Sequence, residues 1–298
     1  MLTGYRDLLS AQFYSTWNSR EFSTRTISHL ELHCWIFIWF VSHWNHVGNL
    51  ESMLIWQDGG TNWGNLGHSG GYTSYDYGSS ITESRELYRE KYSELKLEAN
   101  FLKVSPAYIT ASVGNGATGE YTTSSSVFTT PLFGNGSETN FYIVRHSNYA
   151  EEVAVTYKLN IATSKGTFTV PQLSGSLTLS ARDSKWHVTD YDLGGTNLLY
   201  STAEIFTWKK FETKTALVVY GGPGETHELA VVSTSSANVL EGTGVTTRST
   251  NGTIVLNWQT SSTRRVIQIG SLFVYILDRN SAYNYWVPDF VRDDEWGA

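Results

Sequence analysis

Beyond Pro106 the chain breaks into short β-branched and aromatic runs set apart by turn residues, and no other feature constrains its fold as tightly. Phe141-Tyr142-Ile143-Val144, Val153-Ala154-Val155-Thr156-Tyr157, Leu217-Val218-Val219-Tyr220, Ile254-Val255-Leu256-Asn257-Trp258 and Phe273-Val274-Tyr275-Ile276-Leu277 all have the length and composition of strands. Gly134-Asn135-Gly136, Gly194-Gly195, Gly221-Gly222-Pro223-Gly224 and Asn251-Gly252 stand between them as turns, and the Gly221 to Gly224 run reads as a hairpin. This spacing implies a large antiparallel, sandwich-like β-domain that closes near Pro288. Arg264 and Arg265 read as the start of a strand. His227-Glu228 has Val231 where a zinc-peptidase motif needs its second histidine, so it is no metal site.

A helix precedes the strands. Tyr88, Tyr92, Leu95, Ala99 and Leu102 recur at 4-3-4-3 spacing, which predicts a helix over 84–103 with these residues as its buried face. Thr82 or Ser84 can cap its start, and Pro106 bars its continuation. Glu83, Glu86, Glu90 and Glu94 read as solvated or ion-paired surface rather than as general acids. Before the helix lies a glycine-dense loop, Gly59-Gly60-Thr61-Asn62-Trp63-Gly64-Asn65-Leu66-Gly67 and Gly70-Gly71-Tyr72-Thr73-Ser74-Tyr75-Asp76-Tyr77-Gly78. Glycines let such a loop turn tightly while it presents amides and rings to a ligand. It lacks the Gly-Lys-Ser/Thr ending of a phosphate cradle, and its side chains suit a sugar better.

Residues 1–57 show no sustained period. Their apolar run from Cys34 to Val41 is far short of the ~20 residues of a membrane span. His29 and His33 stand four apart, but Leu30 follows His29 where a zinc peptidase needs glutamate, so no metal is expected there. A net charge of −7 with scattered Lys and Arg excludes a phosphate-backbone surface, and nucleic acid is not an expected partner. Cys34 is the single cysteine, so no intrachain disulfide forms. The sequons at Asn135 and Asn251 fit a glycosylated, secreted protein, although no signal-peptide pattern opens the chain.

The glycine loop and Arg89-Glu90-Lys91-Tyr92-Ser93-Glu94-Leu95-Lys96 resemble the end of the catalytic barrel in glycoside hydrolase family 35, the multidomain fungal β-galactosidases. Arg182-Asp183-Ser184-Lys185, Tyr200-Ser201-Thr202-Ala203-Glu204, Phe206-Thr207-Trp208-Lys209-Lys210-Phe211 and the run from Asp278 to Pro288 resemble the second domain of the same enzymes. The resemblance covers about residues 59–288. It implies a mainly β chain in four parts: an unmatched segment 1–57, a strand-loop-helix remnant of a (β/α)8 barrel over 58–104, an all-β second domain over 105–288 and a tail over 289–298.

The implied activity is retaining hydrolysis of terminal β-D-galactosyl residues, with a galactoside as substrate and with no metal or organic cofactor. Retention needs two carboxyl groups ~5–5.5 Å apart. In the family both are glutamates on barrel strands ahead of the glycine loop, where this chain has only Glu21, Glu31 and Glu51 in unrelated contexts. No catalytic residue carries over, so the chain is expected to be inactive alone, without the rest of the barrel and the later β-domains. Tyr77 is the residue that by motif position contacts galactose, and Tyr75, Asp76, Asn62 and Trp63 are secondary candidates for shaping the pocket. The family implies a secreted enzyme. The rival reading is a non-catalytic β-module that binds carbohydrate or only packs against partner domains.

Overall fold

The computed structural model describes residues 61–62, 73–74, 86–87, 89–148, 151–181 and 183–288. Two sheets form the body of the protein. The larger has nine strands, all antiparallel, in the order β17 (Val245–Thr250), β18 (Thr253–Gln259), β15 (Thr226–Val232), β12 (Asn197–Ser201), β11 (Ser184–Asp192), β6 (Asn140–His146), β5 (Val127–Phe133) and β3 (Ser112–Val113), with β4 (Ala117–Thr118) also paired to β5. The smaller runs β13 (Glu204–Lys210), β14 (Thr215–Gly221), β20 (Leu272–Asp278), β19 (Arg265–Ile269) and β16 (Ala237–Glu241), and β14 with β20 is its one parallel pair.

Alternation along the strands explains how the layers stack. Leu217 and Val219 of β14, Val274 and Ile276 of β20, and Trp186 and Val188 of β11 share one core between the two sheets. The opposite face of the large sheet, with Tyr142, Val144, Tyr200 and Ala230, is roofed by two small hairpins. These are β8 (Leu159–Thr163) with β9 (Gly166–Val170), and β7 (Val155–Tyr157) with β10 (Leu177–Leu179). The large sheet is therefore buried on both faces, which is why β11 has eight consecutive buried residues.

The expected sandwich is present, and four of the five apolar runs lie within strands; of Val153–Tyr157 only the last three residues do. Asn251-Gly252 makes the expected tight hairpin between β17 and β18, with φ of 50° and 70°. A two-residue hairpin loop of this kind needs positive φ at both positions, which asparagine and glycine supply. The Gly221 to Gly224 run is a correction: β14 and β15 belong to different sheets, so the run crosses between them and is no hairpin. Its glycine is needed for a different reason, since a Cβ on Gly221 would collide with the His227 ring.

The helix needs a second correction. It spans α1 (Arg89–Lys103), followed by a short α2 (Ala107–Thr110). The face buried against the β-domain carries Ser93, Glu94, Leu97 and Phe101; of the expected face, Leu102 packs against the main core, Ala99 is exposed, Tyr92 and Leu95 are only partly covered, and Tyr88 lies outside the described residues. Leu97 lies over the outer face of the small sheet with Phe206, Tyr220 and Leu277. Phe101 enters the main core and meets Trp186 at 5.5 Å and Phe141 at 6.2 Å, both edge to face. Burying two such side chains contributes roughly 1.5–3 kcal/mol each. The turn after the helix is also held, because Val104 O accepts hydrogen bonds from Trp208 Nε1 at 3.0 Å and Tyr191 OH at 2.9 Å. Among the described residues no helix is long and apolar enough to cross a membrane.

Candidate functional site

The densest chemistry among the described residues lies where α1 meets the two sheets. The backbone sets it up: Asp183 and Lys185 lie at the start of β11, Glu204 opens β13, Glu225 and His227 lie at the start of β15, and Arg279 opens α3 (Arg279–Ala282) straight after β20. Asp278 caps α3 by accepting from Ser281 N at 3.1 Å, which holds Arg279 at the strand end. α1 contributes Glu94 from the opposite side.

Lys185 Nζ donates to Glu225 Oε2 at 2.9 Å and lies 3.1 Å from Asp183 Oδ2. Arg279 bridges the strands and the helix: its Nη2 is 3.5 Å from both Asp183 Oδ2 and Glu204 Oε2, and its Nε is 3.8 Å from Glu94 Oε2. Glu94 also accepts hydrogen bonds from Tyr220 OH at 3.1 Å and Tyr283 OH at 2.7 Å. Glu225 Oε2 accepts from Gly222 N at 2.7 Å and lies 3.2 Å from His227 Nε2, while His227 Nδ1 faces Thr202 O at 3.1 Å. Four carboxyl groups thus share two permanent cations and one imidazole, with side-chain exposures between 1% and 14%.

Such a cluster has to distribute protons. Burial raises Glu204, and although Lys185 and Arg279 oppose it, with Glu94 and Asp183 nearby its carboxyl ends up at about 8, protonated at neutral pH. Glu98 on the same helix is pushed well up by burial and by Glu94 and Glu204. Glu225 goes the other way: burial would raise it, but Lys185 and the His227 hydrogen bond hold it well below the usual carboxylate range. Burial, His227 and Lys185 depress His187 to about 3, so it stays neutral and pairs through Nε2 with Tyr157 OH at 2.8 Å.

A second buried carboxylate is held differently. Glu228 Oε1 accepts from Gln172 N at 2.6 Å and Tyr200 OH at 2.9 Å, and its Oε2 accepts from Leu173 N at 2.8 Å and Asn257 Nδ2 at 3.2 Å. It staples the stretch after β9 onto β15. Neither place is built for hydrolysis, because each carboxyl is enclosed and its oxygens face internal partners rather than a cleft. The charge cluster acts as a joint between helix and sheets.

Of the residues singled out in the sequence, Tyr77, Tyr75, Asp76 and Trp63 lie outside the described residues, as do His29 and His33. Asn62 lies on β1 (Thr61–Asn62), which pairs antiparallel with β2 (Thr73–Ser74) and so ties together the two ends of the stretch 63–72. Asn135 and Asn251 occupy exposed turns. Among the described residues no three His, Cys, Asp or Glu side chains are grouped to hold a metal ion. A polar depression of about 300 Å3 at one end of the sandwich, lined by Thr196, Asn197, Ser233 and Ser271 among others, brings no titratable groups together.

The joint was missed in the sequence, although its parts were in view. Asp183, Lys185, Glu204, Arg279 and Tyr283 all fall in the motifs quoted for the second domain, and the only available signal was the presence of charges beside strands that read as buried.

The family model described as "Beta-galactosidase, domain 2" matches residues 110–285, and that of "Glycosyl hydrolases family 35" matches residues 46–102. A "Beta-galactosidase A" from a Penicillium species is 59% identical over 233 residues, which are 77% of this chain and 23% of that protein. A "Beta-galactosidase A" of Aspergillus niger is 57% identical over 237 residues, 79% of this chain and 23% of its own length. A "Probable beta-galactosidase A" of Emericella nidulans is 56% identical over 232 residues, with 77% and 23% covered. The chain spans about a quarter of the length of these relatives.

Proposed function

The chain belongs to the β-galactosidases of glycosyl hydrolase family 35, and on that premise we propose that it supplies the second domain and the adjoining barrel end of a retaining enzyme that removes terminal β-linked galactose. The observation that carries this is the buried joint. Glu94, in the stretch matching the hydrolase family, is gripped by Arg279, Tyr220 and Tyr283, in the stretch matching domain 2. A joint of this kind fixes the helix that follows the glycine loop in sequence against a β scaffold. The described part is therefore a support, and the sugar is met by the loop.

Within that loop Tyr77 contacts galactose, and Tyr75, Asp76, Asn62 and Trp63 shape the pocket. The support for this is motif position together with the β1–β2 pairing at the base of the loop. Hydrolysis proceeds through a covalent glycosyl-enzyme and needs two carboxyl groups and water, with no metal or organic cofactor. The enzyme is secreted, and Asn135 and Asn251 carry its glycans. The 298-residue chain by itself is inert, since its buried carboxyl groups are committed to the joint and the staple.

Incubating the pure chain with a chromogenic β-galactoside tests this: release no faster than in buffer is expected, and turnover would overturn the supporting role. In a polypeptide extended to the length of the relatives, Tyr77→Phe is expected to weaken galactose inhibition by ~0.5–1.5 kcal/mol, the value of one hydrogen bond. Unchanged inhibition and kinetics would remove Tyr77 from the pocket. Calorimetric titration of the 298-residue chain with galactosides separates support from lectin, because saturable binding would favour the latter.

A further inference from the structure

Asparagine is followed by glycine three times in the chain, at Asn115-Gly116, Asn135-Gly136 and Asn251-Gly252, and each of these asparagines is exposed. Such a pair can react with itself, because a glycine has no Cβ to hinder its backbone nitrogen as it approaches the Cγ of the preceding side chain. The approach needs the backbone to turn until that nitrogen faces Cγ. The sequence therefore makes the three pairs alike, and the fold decides which of them reacts.

Two of the pairs are held. Asn251 and Gly252 are the whole loop between β17 and β18, closed on both sides by the Thr250–Thr253 pair of the ladder, and Gly252 O accepts from Ser233 N at 3.0 Å. A turn of this type has ψ of about +30° at its first position, which sets the glycine nitrogen nearly trans to the asparagine Cβ and so away from Cγ. Asn115 lies between β3 and β4, both paired to β5; Gly114 N donates to Pro131 O at 2.9 Å, and Gly116 packs so closely that a Cβ there would meet the Phe128 ring at 2.6 Å. The third pair is free. Asn135 and Gly136 stand at the apex of the loop between β5 and β6, whose ends are tied by Gly134 N donating to Asn140 Oδ1 at 3.0 Å and Thr139 N donating to Ser137 Oγ at 3.1 Å. Among the described residues no hydrogen bond holds the Asn135 side chain or Gly136 N, and a Cβ on Gly136 would meet only open space.

We propose that Asn135 is a site of spontaneous deamidation in the folded, unglycosylated chain, and that the fold protects Asn115 and Asn251 from the same reaction. Gly136 N, giving up its proton to solvent base, forms a bond to Asn135 Cγ; the Cγ–Nδ2 bond breaks, and Nδ2 takes up a proton and leaves as ammonia. Water then opens the cyclic imide. Attack at Cγ breaks the new bond and gives aspartate, while attack at the main-chain carbonyl carbon breaks the original peptide bond and gives isoaspartate, in which the chain runs through Cγ. The loop apex takes the extra main-chain atom without disturbing the β5–β6 ladder, whereas in the two-residue loop at Asn251 it would break the Thr250–Thr253 register. The nitrogen that leaves is the one to which an N-linked glycan is attached, so a chain without glycans loses its acceptor at Asn135 and keeps that at Asn251. The inference stands apart from the galactosidase reading, because it concerns a modification of the loop and not what the enzyme hydrolyses.

The whole chain, made in a host that adds no N-glycans, is incubated at mildly alkaline pH in buffer and in denaturant, and peptide mapping with enzymatic isoaspartate labelling follows each asparagine. Samples in buffer that keep a cooperative melt report the folded state. Asn135 is expected to convert there within a few-fold of its own rate in denaturant, while Asn115 and Asn251 fall at least about tenfold below theirs. Protection of Asn135 as strong as that of the other two would overturn the proposal, and so would conversion of Asn115 or Asn251 at its denatured rate. One added glycine between Gly252 and Thr253 lengthens the hairpin loop while leaving the Asn251-Gly252 pair intact. It is expected to raise the Asn251 rate at least several-fold in the folded chain, and an unchanged rate would contradict the protection assigned to the turn.

Discussion

Glu204 and Glu228 are both buried glutamates in strands of one domain, only a short stretch of sequence apart, yet they are kept in opposite ways. Glu228 is enclosed by four hydrogen-bond donors, two of them backbone amides, and among the described residues no cation pairs with it. Glu204 lies among other carboxyls, shares Arg279 with Asp183 and Glu94, and has an Oε2 that receives no hydrogen bond. Burying a charge is tolerated only when something replaces water. Fixed neutral donors do so locally and hold one loop; shared cations do so at a distance and bind separate elements together, at the cost of leaving one proton to be held by whichever carboxyl is worst served.

The largest break in this contrast comes from the cation that three carboxyls share. Arg279→Ala removes the cation that Glu94, Asp183 and Glu204 share, and thermal or denaturant unfolding is expected to show a loss of about 3–5 kcal/mol. The loss should extend to α1, read as faster amide exchange along Arg89–Lys103. Glu228→Gln should cost less, about 1–3 kcal/mol, because one carboxylate oxygen becomes an amide that faces donors, while the rest of the shell survives. Its damage should stay within residues 171–174 and β15, and a loss that reached α1 would erase the distinction between staple and joint.

The most specific effect appears only as pH varies. Glu204 is raised from 4.5 to about 8 in the folded state, so between these values the folded protein holds a proton that the unfolded chain has released, and stability falls as pH rises through the window. His187 is lowered from 6.5 to about 3, so over that range the unfolded chain binds a proton that the folded one refuses, and stability falls as pH drops. The two groups therefore oppose each other, His187 weakening the fold toward acid and Glu204 toward alkali. Glu204→Gln is expected to flatten the alkaline side and to be clearly the more stable form near pH 8, with little difference near pH 4.5. Melting curves over this range check it, and a parallel decline in both proteins would show that Glu204 is not the group concerned.

Much of the β architecture was legible because strand period and turn chemistry are local. Runs such as Leu217–Tyr220 and Ile254–Trp258, with Asn251-Gly252 between strands, contain their own instructions. What local pattern does not contain is which sheet a strand joins, and so the Gly221 to Gly224 run looked like a hairpin when it crosses between layers. The helix was found, but its buried face only in part: of the residues the apolar period pointed to, Leu102 packs on the core while Tyr92, Leu95 and Ala99 do not lie on the buried side, because the β-domain selected the side with Glu94, where Tyr220, Tyr283 and Arg279 await it. Those partners lie more than a hundred residues away, beyond the reach of any spacing rule. The residues proposed to face galactose rest only on resemblance in the glycine loop, most of which lies outside the described residues.

The central claim is that α1 and the β-domain form one cooperative body across the line between the two family matches, where Phe101, Val104 and Ser105 are all held by groups of the sheets. Limited proteolysis of the whole chain, with the termini of the surviving core fixed by mass spectrometry, tests it most directly. The account predicts a resistant core that keeps all of α1, beginning at or before Arg89 and ending near Pro288. A resistant core that begins after Lys103, with the helix digested away, would contradict it.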